Sequence, residues 1–94
     1  MDRLTKKLDT SNGYFVEDDK VEHEVNRFTG QAISKLATFE NIYEDLQLKQ
    51  VELSKELEKL RMEDKTKTVK FKQLLTNKLT NGNVIMLLES YGLK

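Results

Sequence analysis

The chain has one histidine, and its surroundings are the first place where residue types and spacing suggest chemistry. On a helix, Asp19 and His23 would stand one turn apart and could share a metal ion. A di-iron bundle instead needs Glu three residues before the histidine, and Lys20 stands there. No third ligand is identifiable, so His23 reads as a solvated surface residue. Glu40 with Glu44 and Glu52 with Glu56 share helix faces, but paired carboxylates do acid–base work only in a pocket that perturbs them. In a chain one-third charged they read as surface. No nucleophile beside a base, P-loop or dinucleotide fingerprint is present, and Asn12-Gly13 and Asn81-Gly82 hold one glycine each. The expectation is a non-enzyme without metal or cofactor.

The sharper chemical signal is the basic tract Lys65, Lys67, Lys70 and Lys72, with Lys78 further on. Interleaved with Thr66, Thr68 and Phe71, it could hold phosphates by charge and hydroxyl contacts. The tract contains no arginine, the residue that most often reads guanine, which argues against base recognition. The opposing reading is that these lysines face an acidic helix or keep their own helix in solution. The net charge is zero, yet residues 1–64 carry a balance of −5 and residues 65–94 one of +5. A split of that kind means a basic end folded back on the acidic part, or one that meets an external polyanion. As a helix-turn-helix the last twenty residues read weakly, because Val84–Leu88 would be an apolar recognition helix.

The element that must position these residues is one long amphipathic helix over residues 31–63. No Gly or Pro stands between Gly30 and Gly82. Ala32, Leu36, Phe39, Tyr43, Leu46, Leu53, Leu57 and Leu60 recur in a four-three alternation, interrupted at Gln50, which is the pattern of a helix packed lengthwise on another. Gln50 at a buried seam position would cost stability and help fix register or partner number; the alternative is that it lies at a wet edge of the seam. Leu48, Val51 and Met62 lie off the seam, with Ile42 and Ile33 widening it. A second apolar stripe moves the reading from a zipper towards a bundle.

Ahead of this helix, residues 1–17 read as a polar arm in which Tyr14-Phe15-Val16 docks on a helix. Asp18 and Asp19, with Glu22 resembling a capping box, predict a helix over 18–29, and Gly30 either kinks or interrupts the chain there or is tolerated within a continuing helix. After it, the polar stretch 63–68 predicts a hinge and residues 68–80 a second helix folding back. Asn81-Gly82 predicts a stop, and residues 83–91 a short apolar end helix closed at Gly92. The expected fold is therefore all-α, a single helical domain over residues 18–94.

Ninety-four residues bury only roughly 60 to 65% of their unfolded surface, a marginal core without added support. There is no cysteine, so disulfides are excluded and a reducing compartment fits. No apolar run approaches a membrane span and no signal-peptide core is visible. A soluble cytoplasmic protein is expected. A long helix of about 50 Å cannot be covered by a folded-back one of about 18 Å. That mismatch predicts a homo-oligomer, with the seam Leu36, Phe39, Tyr43, Leu46, Gln50, Leu53, Leu57, Leu60 and the apolar end Val84, Leu87, Leu88 as contact elements. The function expected is a non-catalytic oligomerising adaptor or inhibitory factor that binds protein. The alternative is a nucleic-acid-associated protein using Lys65–Lys78.

Overall fold

The computed structural model describes residues 2–93 of the chain. It contains strands β1 (Thr5–Lys7) and β2 (Tyr14–Val16), a 3-10 turn at Asp18–Lys20, strands β3 (Glu22–Glu24) and β4 (Arg27–Thr29), and helices α1 (Gln31–Met62) and α2 (Val69–Ser90). Two compact units are distinguished, Met1–Glu40 and Asn41–Lys94. The fold is mostly helical but not all-α.

The N-terminal unit corrects the sequence reading most. No helix forms over 18–29. Asp18 and Asp19 do start a helical turn, but it lasts three residues and Val21 returns to extended backbone at φ −134°, ψ 152°. Two antiparallel hairpins take the place of the expected arm and helix. In the first, Lys6 pairs with Phe15 and the Leu8 amide donates to the Gly13 carbonyl at 3.0 Å. Tyr14-Phe15-Val16 thus joins a sheet and does not dock on a helix. In the second, His23 pairs with Phe28 around the two-residue loop Val25-Asn26. β1 and β3 are exposed along their whole length. The hairpins are held by local contacts: Lys6 donates to Glu17 at 2.6 Å, Arg27 to Glu24 at 2.6 Å, and the Arg3 guanidinium lies 5.7 Å from the Tyr14 ring centre.

Gly30 starts α1 rather than kinking it. Its φ of +113° is costly for any residue with a side chain, and its carbonyl accepts from the Ser34 amide at 2.9 Å. A Cβ there would lie 2.9 Å from both the Lys20 oxygen and the Val21 Cα. Only glycine lets the backbone entering β3 pass this close.

In the second unit the expected hinge is present, and its chemistry is two caps in sequence. Asp64 adopts φ +57°, the Lys65 amide donates to Leu60 O at 2.8 Å and the Asp64 amide to Arg61 O at 3.1 Å. This is the Schellman stop, with Asp in the left-handed position more often held by glycine. Thr68 then caps α2, its hydroxyl accepting from the Phe71 amide at 3.2 Å and donating to Lys65 O at 2.8 Å.

α2 does not stop at Asn81-Gly82. The expected helices over 68–80 and 83–91 are one helix of 22 residues. It ends at Gly92, φ +83°, where the Leu93 amide reaches Leu88 O at 3.1 Å. Twenty-two residues extend about 33 Å. Intramolecular cover therefore runs well past the roughly 18 Å of the shorter helix. Among the described residues, the buried apolar side chains are Leu53, Leu57 and Leu60 of α1 with Phe71 and Ile85 of α2. Leu57, fully enclosed, centres a cluster with Leu60 and Phe71, against which Leu74 and Leu75 pack.

Candidate interaction surface

The α1–α2 seam carries a polar lock. Asn81 is buried at 7% exposure, and its amide nitrogen donates to Leu46 O and to Gln50 Oε1, both at 2.9 Å. The Gln50 amide donates in turn to Lys78 O at 3.2 Å. A Cβ on Gly82 would stand 3.0 Å from Gln50 Nε2, so the glycine makes room for the amide. These bonds explain why the helix runs through a sequence that reads as a stop. An asparagine side chain breaks a helix by bonding its own backbone, and here it bonds the facing helix instead. The contacts also fix direction: residues 46–50 meet 78–82, while the Arg61 guanidinium lies 5.5 Å from the Phe71 ring centre, so α2 runs antiparallel to α1. Gln50 therefore lies inside the intramolecular seam.

The other seam residues divide along α1. Leu53, Leu57 and Leu60 are buried inside the chain's own hairpin, Tyr43 and Leu46 are half-buried, and Leu36 and Phe39 are exposed. At the apolar end, Val84 and Leu87 are exposed and Leu88 is half-buried, while the inward anchor is Ile85. Asn81 and Ile85 were missed as seam residues. The available signal was their place in the series Leu74, Lys78, Asn81, Ile85, Leu88, which keeps helical spacing straight through the glycine.

The basic tract is not drawn onto acidic residues of α1. Lys65 lies 3.6 Å from its neighbour Glu63, and among the described residues Lys67, Lys70, Lys72 and Lys78 have no carboxylate within 4.0 Å. Lys65 and Lys70 do share an open cleft of about 340 Å³ with Lys59, Glu56 and Glu63, walled by Leu60 and Leu74. Its mixed charge suits neither a strong anion nor a strong cation site. Lys78 is half-buried on the inward side.

The chemistry-bearing residues of the N-terminal unit are not assembled. Asp19 lies in the 3-10 turn and His23 in β3, so the one-turn helical pairing proposed for them does not exist. The His23 ring instead stacks at a tilt on Phe28, with centres 4.7 Å apart. Among the described residues no group of three or more His, Asp or Glu is placed to hold a metal ion. Glu40, Glu44, Glu52 and Glu56 stand exposed on α1. The Lys6 ammonium is held above its ordinary 10.5 by the hydrogen bond to Glu17 and by the attraction between their charges. Lys6 thus stays charged until pH rises past its usual range.

No helix among the described residues is long and apolar enough to cross a membrane. No protein family, curated protein or solved structure matches the chain.

Proposed function

We propose that the chain is a non-catalytic protein–protein interaction module that works as an oligomer in the cytoplasm. The observation that carries this reading is the balance of apolar surface. Among the described residues five apolar side chains are buried, whereas nineteen large ones are exposed. Single exposed hydrophobes are ordinary, but a surplus on this scale in a small helical protein marks a surface that another chain covers. The absence of cysteine fits a reducing compartment. The contact elements on this reading are the stretch of α1 carrying Leu36 and Phe39 and the second half of α2 carrying Val84 and Leu87. Leu53, Leu57 and Leu60 serve the hairpin's own core.

If assembly covers this surface, stability depends on protein concentration, because only the folded assembly gains from mass action. The thermal midpoint is expected to rise by several degrees over a hundredfold increase in concentration. A midpoint that stays constant over that range refutes assembly through this surface.

A second reading, nucleic-acid association, is favoured by one observation: Lys67, Lys70 and Lys72 lack carboxylate partners at the start of α2, where backbone amides also point outward. Fluorescence anisotropy with a labelled duplex over a salt series separates the two. Under the interaction reading, binding near physiological salt is negligible. Under the second, log K falls linearly with log salt, and changing all three lysines to glutamine reduces the slope by about three.

A further inference from the structure

The dipeptide Asn-Gly occurs at Asn12-Gly13 and again at Asn81-Gly82, and the fold holds the two in opposite ways. The pair has a chemistry of its own. Glycine has no Cβ to shield its backbone nitrogen, so that nitrogen can attack the side-chain carbonyl carbon of the preceding asparagine. A bond forms from the glycine nitrogen to Cγ, the Cγ–Nδ2 bond breaks, and the glycine amide proton leaves with the ammonia. Water then opens the succinimide ring at either carbonyl and leaves aspartate or isoaspartate. No oxidant, reductant or enzyme takes part. The step needs a mobile asparagine backbone, an unheld side-chain amide and a glycine N–H that is not committed to a ladder.

Asn12 meets these conditions. It is exposed in the loop 8–13 that joins β1 to β2, and its side chain makes no hydrogen bond among the described residues. The Gly13 amide donates only to the Ser11 hydroxyl among the described residues, at a long 3.3 Å. Neither strand of that hairpin has a buried residue to stiffen the loop between them.

Asn81 meets none of them. It is buried, and Nδ2, the atom that must depart, is bound by Leu46 O and Gln50 Oε1, both at 2.9 Å. Gly82 lies inside α2, where its amide belongs to the helical ladder. Closing the ring therefore requires Asn81 to leave helical backbone angles and the seam to open first. The product does not fit either. A carboxylate in that place faces two acceptor oxygens with no donor to offer and carries a buried, unpaired charge.

We infer that Asn12 is a modification site of the folded protein, deamidated by water alone, and that the α1–α2 seam withholds the same reaction from Asn81 until the hairpin opens. Isoaspartate at position 12 adds a backbone carbon to the loop that sets the register of Lys7 against Tyr14. At position 81 the reaction fixes an opened hairpin open, because the polar lock has lost its donor. Asn12 thus registers elapsed time, and Asn81 registers opening.

The test holds the full chain in mildly alkaline buffer, with and without guanidinium, and follows two tryptic peptides by mass after brief digestion. Cleavage after Lys7, Lys20 and Lys78 places one Asn-Gly in peptide 8–20 and the other in peptide 79–94, where fragment ions separate Asn81 from Asn83. In buffer, Asn12 is expected to convert steadily and Asn81 about a hundredfold or more slowly, as for a site reached only by opening a packed seam. In guanidinium the two are expected to convert at comparable rates. Leu57→Ala, which loosens the seam, is expected to speed conversion of Asn81 in buffer and leave Asn12 unchanged. Gly13→Ala, whose methyl group meets the flexible end of Leu8 at 3.0 Å, is expected to suppress conversion of Asn12. Equal rates at the two sites in buffer, or an Asn81 rate that Leu57→Ala does not move, overturn the gating by the seam. An Asn12 that converts in guanidinium but stays intact in buffer overturns it as a site of the folded protein.

Discussion

Replacing Leu57 with alanine is expected to remove most of the stability of the helical hairpin. Leu57 is fully enclosed and touches the cluster that joins the helices, with Leu60, Phe71, Leu74 and Leu75 around it. Truncating an enclosed leucine loses the transfer energy of three carbons and leaves a cavity that the surroundings only partly fill, together about 3–5 kcal/mol. Small domains hold roughly 5–10 kcal/mol in total, and each 1 kcal/mol moves the midpoint by about 4–8 °C in this size range. The variant is therefore expected to melt at least about 12 °C lower, or to be partly unfolded at room temperature. Met62→Ala, at an 81% exposed position two residues beyond Leu60, is expected to stay within about 0.5 kcal/mol of the parent. Thermal circular dichroism on the two variants measures the difference. Equal losses would mean that the α1–α2 seam is not where the stability lies.

Gly30→Ala is expected to damage a different part of the molecule. An L-residue at φ +113° is strained by about 1–3 kcal/mol, and the new methyl group would press on the backbone of Lys20 and Val21 at 2.9 Å. Backbone atoms cannot swing aside as a side-chain tip does, so the β3–β4 hairpin or the first turn of α1 must give way. The N-terminal unit has no buried apolar side chain among the described residues to absorb that loss. Amide chemical shifts and exchange protection are expected to change over residues 20–36 and to persist within the hairpin of residues 41–90. Protection unchanged throughout would mean that Gly30 does not hold the conformation described.

What the sequence made legible followed from how local each signal is. The long helix, the polar hinge and the stop at Gly92 rest on propensity and on caps that reach only four or five residues, and all three are where those rules place them. The N-terminal hairpins were illegible because neither has a buried face, so no apolar–polar alternation marks a strand. The loop of the second, Val25-Asn26, also lacks the glycine that usually announces such a turn. Asp18 and Asp19 were a true start signal for a helical turn, but nothing local says that it ends after three residues. The continuity of α2 was hidden for the opposite reason. Asn81-Gly82 reads as a stop by every local rule, and it is overruled by hydrogen bonds to Gln50 and Leu46, more than thirty residues away in sequence. Gln50 itself was legible as a possible seam residue, though not its partner.

The same tertiary bonds change the argument for assembly. A short second helix would have left most of α1 bare and made a partner necessary on length alone. The 22-residue α2 supplies part of that cover itself, so the case now stands on the exposed apolar side chains.

The measurement that tests the central claim most directly is the native mass of the full chain by light scattering after size exclusion, at low and at high salt. The account predicts at least twice the chain mass at both, because an apolar contact survives the screening of charge. A mass of one chain at both salts, even at the highest concentration at which the sample stays clear, would contradict it.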